Sequence, residues 1–212
     1  MDKKFAIFDL DGTLVDSMSY WSQLAEEYLH SRGVGQVPNH ILEAIKPMTM
    51  EESADLFRRT FGLDITSSHM VAEMEHMMDQ HYRNDIPLKE GVSAYLEGLH
   101  QAGTTMCVAS ATAEPLVELC LSRLGVRHYF QFLLSCETVG VGKTQPDIYL
   151  QAAQRMGCTP AETAVYEDAV YAAATAKNAG FYIVGVYDQD ASAHWEELQS
   201  LSDETIPSFE EA

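Results

Sequence analysis

Phe8-Asp9-Leu10-Asp11-Gly12-Thr13-Leu14-Val15-Asp16-Ser17 is the stretch on which the reading of this chain turns. It continues Phe5-Ala6-Ile7-Phe8, an apolar run of the kind that forms a strand buried on both faces. Two acids then leave the strand on either side of Leu10, and Asp11-Gly12 is a turn dipeptide that can bring both carboxylates towards one point. Like charges that close need a cation, and an all-oxygen site suits Mg²⁺. With a metal held there, one carboxylate can attack a phosphorus atom while the other passes a proton. A plain Asp-Gly turn with solvated acids is the competing reading, and the other strand ends have to choose between them.

Working outward, further short apolar runs read as buried strands: Thr105–Ala109, Phe132–Leu134, Ala164–Tyr166 and Tyr182–Val186. Helical patterns separate most of them, over 94–102, 114–124, 147–156 and 169–179. Each is followed by glycine, at Gly103, Gly125, Gly157 and Gly180, as where a helix stops in the left-handed conformation. Strands alternating with helices predict a Rossmann-like α/β core, a three-layer arrangement with a parallel sheet covered on both faces. Residues 17–85 break the alternation with helical periodicity alone: Tyr20, Leu24 and Tyr28 share a face, and helices are expected over 41–45, 51–61 and 67–82. This predicts an all-helical cap inserted into a core made of 1–16 and 86–212. Such an insert is expected over the carboxyl ends of the strands, where open parallel sheets bind ligands. The polar tail after Leu201 is expected to be frayed or a surface edge.

Composition narrows the function classes. The 212 residues carry 13 Lys+Arg against 32 Asp+Glu, a net charge of −19, with 46% hydrophobic and 21% charged residues. That is globular composition, and its charge repels nucleic acid and anionic membrane, so neither is an expected partner. No apolar run approaches the roughly 18 residues of a membrane span, and the N-terminus has no signal-peptide pattern. Cys107, Cys120, Cys136 and Cys158 form no CxxC pair and read as reduced thiols, which points to the cytoplasm. A monomer is the expected state.

Three more strand ends carry chemistry. Ser110 puts a hydroxyl after Val108-Ala109, where it and backbone N–H groups can bind phosphate oxygens; a turn or capping serine is the alternative. Gly140-Val141-Gly142-Lys143 presents the one lysine between Lys89 and Lys177, able to neutralise phosphate and nucleophile charge unless it is an exposed surface lysine. Val165-Tyr166-Glu167-Asp168 places two acids at a strand end; they either complete a metal site or decorate a helix N-terminus. Nucleophile, hydroxyl, lysine and acid pair at four successive strand ends are hard to obtain together by accident.

In these motifs the chain resembles the haloacid dehalogenase superfamily, in its helical-cap subgroup, along essentially the whole length. The first motif, Asp9-Leu10-Asp11-Gly12-Thr13, is the most specific, and Gly142-Lys143-Thr144-Gln145-Pro146-Asp147-Ile148-Tyr149 looks like the family's GKPxPDxY stretch. The resemblance implies Asp9 as nucleophile and metal ligand, and Asp11 as general acid/base that also binds Mg²⁺ through its backbone carbonyl. It implies Ser110 and Ala111 as phosphate binders, Lys143 as the charge-neutralising lysine, and Glu167 and Asp168 as metal ligands. Ala111, Thr144, Ala169 and Ala172 stand where the family commonly has Asn, Pro, Ser and Gly; none of these departures removes a catalytic group. Dehalogenases of the superfamily lack an acid two residues after the nucleophile, so Asp11 favours phosphate chemistry.

The expected activity is Mg²⁺-dependent hydrolysis of a small phosphorylated metabolite through an aspartyl-phosphate. A β-phosphoglucomutase-like mutase is the alternative. Against it, no His occurs between the first motif and His30, and Ile45-Lys46-Pro47-Met48-Thr49-Met50 offers one lysine, with no arginine until Arg58-Arg59. A catalytically silent phosphate and metal sensor is the non-enzymatic alternative. Tyr20, Trp21, Lys46, Met48 and Thr49 are the expected substrate contacts, although Tyr20 and Trp21 also suit a core. His69, His76 and His81 are read as surface histidines, and the Met-rich helix as core.

Overall fold

The computed structural model describes residues 3–45, 48 and 50–212. The chain forms two compact units, Met1–Met18 with Ile86–Ala212, and Ser19–Asp85. In chain order the elements are β1 (Phe5–Phe8), α1 (Met18–Ser31), α2 (Asn39–Ile45), α3 (Met50–Phe61), α4 (Ser67–Asn84), α5 (Val92–Gln101) and β2 (Thr105–Ser110). They continue as α6 (Glu114–Arg123), β3 (Phe130–Ser135), α7 (Cys136–Val139), α8 (Asp147–Met156), β4 (Thr163–Glu167), α9 (Val170–Asn178), β5 (Tyr182–Val186), α10 (Trp195–Leu201) and β6 (Glu204–Ile206).

The sheet of the first unit runs β3-β2-β1-β4-β5-β6, every neighbouring pair parallel. Strand order reverses at β1: β2 and β3 extend one way and β4, β5 and β6 the other. In a parallel sheet that reversal opens a crevice at the carboxyl ends, here between β1 and β4. Because side chains alternate across a strand, Ile7, Cys107, Ala109, Val165 and Ile183 bury one face against Ile148, Tyr149 and Ala152 of α8, Ala173 and Ala176 of α9, and Leu198 of α10. Phe8 and Tyr166 occupy the other face, stacked at 4.0 Å, with the Tyr166 hydroxyl 2.9 Å from that of Tyr95 on α5. Burial on both faces is why the strands read as continuous apolar runs rather than alternating ones.

The tail is not frayed. Glu204-Thr205-Ile206 pairs with β5 as the edge strand, and Ile206 and Phe209 are buried. Gly91, at φ +83°, lies so close to the tail that a Cβ there would stand 2.5 Å from the backbone of Phe209 and Glu210. Among the described residues no helix is long and apolar enough to cross a membrane. All four cysteines are free, Cys107 and Cys120 buried.

In the helical unit Leu24, Tyr28 and Leu29 of α1 are buried, as are Phe57 of α3 and Met70, Met74, Met78 and Tyr82 of α4, so the Met-rich helix supplies core. The Tyr28 hydroxyl donates to Glu73 at 2.7 Å, and Arg32 pairs with the same carboxylate. His81 differs from the expected surface histidine. Its ring is mostly buried, with Nδ1 2.8 Å from Asp85 and Nε2 3.1 Å from Glu27. Burial works against its charge, but the hydrogen bonds to Asp85 and Glu27 hold its pKa above the usual histidine value. A raised folded pKa means that this charge stabilises fully below the unfolded value of 6.5 and progressively less as pH climbs through the folded value. His81→Gln should therefore lower the thermal midpoint more at about pH 5.5 than at about pH 8.5. Equal losses at both would show that the pair carries no net charge interaction.

Candidate active site

The site begins with register. Phe8 on β1 is opposite Tyr166 on β4, and the Asp9 N–H donates to the Tyr166 carbonyl at 3.0 Å, so the next residues along, Asp9 and Glu167, are neighbours at the reversal point. Both follow the pleat of Ile7 and Val165, and thus the face covered by α8. Lys143, in the loop before α8, projects onto that face. Its ammonium donates to Asp9 Oδ1 and, at 2.7 Å, to Glu167 Oε1. The side chain is 4% exposed, so it is no surface lysine. Tyr149 on α8, fully buried, donates its hydroxyl to the same Glu167 oxygen at 2.7 Å.

Asp9, Glu167 and Asp168 form one buried cluster with a carboxylate oxygen of each within 4.8 Å of the others. Asp168 accepts from the Thr13 hydroxyl at 3.2 Å. Burial pushes the Asp9 carboxyl well above the usual carboxylate range, with Lys143 pulling against it and the neighbouring acids adding to the rise. Burial, Glu167 and Asp188 together push Asp168 up to about 7. Burial also opposes the Lys143 ammonium, but Asp9 and Glu167 outweigh it and hold its pKa above the ordinary lysine value. Three carboxylates against one ammonium leave the cluster short of positive charge. An all-oxygen, buried, anionic donor set of this kind fits a hard divalent cation.

Asp11 stands apart from that cluster. Its two carboxylate oxygens accept hydroxyl protons from Ser17 and Thr112, each at 2.7 Å. The turn between the strand and Ser17 is tight: the Gly12 N–H bonds the Val15 carbonyl, and the N–H groups of Leu14 and Val15 both bond Leu10. Gly12 has φ +80°, and a Cβ there would lie 2.5 Å from Asp168 Oδ2 and 3.1 Å from Met18 Cγ. Gly12→Ala should therefore incur about 1–2 kcal/mol of backbone strain and push Asp168 aside. Its expected signature is a lower urea midpoint together with a higher Mg²⁺ requirement for activity. A normal Mg²⁺ requirement would mean that Asp168 is not displaced.

Ser110 is fully buried at the end of β2, and its oxygen accepts the Thr112 N–H at 2.9 Å, an arrangement that leaves its own proton to donate. Ala111 beside it is exposed. Of the expected substrate contacts, Trp21 donates to the Tyr82 hydroxyl at 3.2 Å and Tyr20 lies 4.9 Å from the His81 ring, both inside the helical unit. Met48 is exposed, while Lys46 and Thr49 lie outside the described residues. Sequence reasoning missed Thr13, Ser17 and Thr112, whose hydroxyls orient the acids; in the sequence they look like ordinary turn residues.

The family model described as haloacid dehalogenase-like hydrolase matches residues 6–186. Fructose-1-phosphate phosphatase YqaB of Escherichia coli (strain K12) is 26% identical over 183 residues, covering 85% of this chain and 94% of that protein. Beta-phosphoglucomutase of Bacillus subtilis (strain 168) is 28% identical over 196 residues, covering 86% and 83%. Among solved structures, CbbY from Rhodobacter sphaeroides in complex with phosphate superposes with a TM-score of 0.76 at 21% identity, covering 98% of this chain and 95% of that one.

Proposed function

The chain belongs to the haloacid dehalogenase-like hydrolases, and from that premise we propose that it is a Mg²⁺-dependent phosphatase hydrolysing a small phosphate monoester, a sugar phosphate or similar metabolite, through an aspartyl-phosphate. The observation that carries this reading is Asp9, buried beside Lys143, in one acidic cluster with Glu167 and Asp168 at the reversal point of the sheet. Asp9, Glu167, Asp168 and the Asp11 carbonyl would hold the cation, which when bound offsets the repulsion between carboxylate and phosphate.

Asp9 attacks phosphorus in line; the new O–P bond forms as the ester P–O bond breaks. Lys143 stays protonated and balances the charge gathering on the phosphoryl oxygens. Ser110 donates to one of those oxygens. Asp11, aimed by Ser17 and Thr112, gives its proton to the departing alkoxide. It then takes a proton from the water that attacks the aspartyl-phosphate, releasing inorganic phosphate and restoring the Asp9 carboxylate. The free thiols suit a reducing compartment, so we place the enzyme in the cytoplasm.

A panel of sugar phosphates, nucleotides and phosphoglycolate, assayed with and without Mg²⁺, tests the reading. Mg²⁺-dependent release of inorganic phosphate from at least one ester is expected. An isomerised sugar phosphate without phosphate release would establish the mutase instead, and tight Mg²⁺-dependent binding without turnover the sensor.

A further inference from the structure

A second lysine–acid pair, its acid buried and its lysine partly so, sits at the same rim of the sheet. Asp188 follows β5, two residues beyond Val186; since Glu167 pairs with Gly185, Val186 is the position in register with Asp168. The Asp188 side chain is 1% exposed. Its Oδ2 accepts from Lys89 Nζ at 2.7 Å and its Oδ1 from the Asp190 N–H at 2.9 Å. Lys89 also donates to the Tyr187 carbonyl at 3.2 Å. Its backbone is stitched to the loop that follows the first motif: Lys89 N–H to the Leu14 carbonyl, and Asp16 N–H to the Pro87 carbonyl, both at 3.0 Å. The pair therefore spans the β5 end and the segment bracing the loop that holds Asp11 and Gly12. None of the roles assigned above uses it.

β5 is the neighbour of β4, and Asp188 leaves it two residues past the position in register with Asp168, so the pair stands at the strand end next to the one that carries Glu167 and Asp168. Four buried carboxylates, Asp9, Glu167, Asp168 and Asp188, thus lie at this rim with the buried ammonium of Lys143 and the partly buried one of Lys89.

We propose that Lys89 and Asp188 are a charge-setting pair for the metal centre: Lys89 cancels Asp188, so that the site presents to the cation only the deficit left by Asp9, Glu167, Asp168 and Lys143. The pair touches neither substrate nor metal and acts through the field at Asp168. The inference rests on the Mg²⁺ reading of the cluster. An ion pair that only braced the fold would, when cut at either end, weaken Mg²⁺ binding both ways. A charge-setting pair gives opposite signs. Lys89→Met leaves Asp188 uncancelled and should tighten Mg²⁺ binding, whereas Asp188→Asn leaves Lys89 uncancelled and should weaken it, each by roughly tenfold.

The measurement is the rise of the thermal midpoint with MgCl₂ concentration in the substrate-free protein, each variant serving as its own reference so that a change in basal stability drops out. Opposite shifts in the Mg²⁺ dissociation constant, with the double variant returning towards wild type, bear the proposal out. Shifts in the same direction, or none, overturn it. If Asp188→Asn does not fold, Lys89→Met decides alone, since tighter Mg²⁺ binding bears the proposal out and weaker or unchanged binding overturns it; if Lys89→Met does not fold, Lys89→Gln takes its place under the same criterion. A wild type whose midpoint does not respond to Mg²⁺ would instead sink the metal reading itself, and the two failures are thereby told apart.

Discussion

Asp9→Asn is expected to fold, to melt no lower than wild type without Mg²⁺, and to lose at least about a thousandfold in phosphate release. The activity loss follows from the chemistry, since an amide oxygen lacks the charge needed to attack phosphorus and form the mixed anhydride. The stability side follows from burial. The Asp9 carboxyl sits well above the usual carboxylate range because burial dominates. A group whose pKa is raised in the folded state destabilises that state once ionised, and the cost grows as pH rises above the unfolded value. An uncharged isostere removes that cost, while Lys143 keeps Glu167 as its partner. The measurements are phosphate release from p-nitrophenyl phosphate and a thermal melt without metal. Full activity in the variant would end the nucleophile assignment, and a melt well below wild type would mean that the Lys143–Asp9 contact is worth more than the burial of its charges.

Lys143→Met is expected to fail on both counts. It strands Asp9 and Glu167 as buried anions without a protein counter-charge, a kind of change that costs about 3–5 kcal/mol, and it removes the group that balances charge on the transferring phosphoryl, for a loss of about a hundredfold or more in turnover. The two variants differ in their response to Mg²⁺. The stranded anions make the cluster more negative, so Mg²⁺ should restore much of the stability of Lys143→Met, whereas Asp9→Asn should gain less from Mg²⁺ than wild type does. Urea unfolding with and without Mg²⁺ measures this. If Mg²⁺ leaves Lys143→Met as unstable as before, the cluster is not where the cation binds.

The parallel core was legible because burial on both faces writes itself as short apolar runs, and β1 and β5 fall where Phe5–Phe8 and Tyr182–Val186 predict. β6 was missed for the opposite reason: Glu204-Thr205-Ile206 is three residues long, lies at an edge and is apolar only at Ile206. At the site, strand-end acids and a lone lysine are visible as residue types, and the structure brings Asp9, Lys143, Glu167 and Asp168 together. The orienting hydroxyls of Ser17 and Thr112 carry no such mark, because a hydroxyl in a turn looks the same whether it caps a helix or holds a carboxylate. Lys89 and Asp188 are 99 residues apart, and nothing local to either announces the other. His81 was misread for a similar reason: its partner Glu27 comes from a different helix.

The central position of β1 also sets a timetable for synthesis. Phe5 pairs with Thr105 on one side and with Thr163 on the other, so β1 is flanked by strands that leave the ribosome much later than it does. At about 5–20 residues per second, some 8–32 seconds separate the appearance of Phe5 from that of Thr163. Through that interval Phe5–Phe8 has no completed sheet to enter, and Asp9 has neither Lys143 nor Glu167 beside it. Productive folding of this unit must therefore wait for β4, so the nascent chain is open to chaperones and to aggregation until Thr163–Glu167 has emerged. A ribosome-bound fragment ending before β4 would have the nucleophile and no active site.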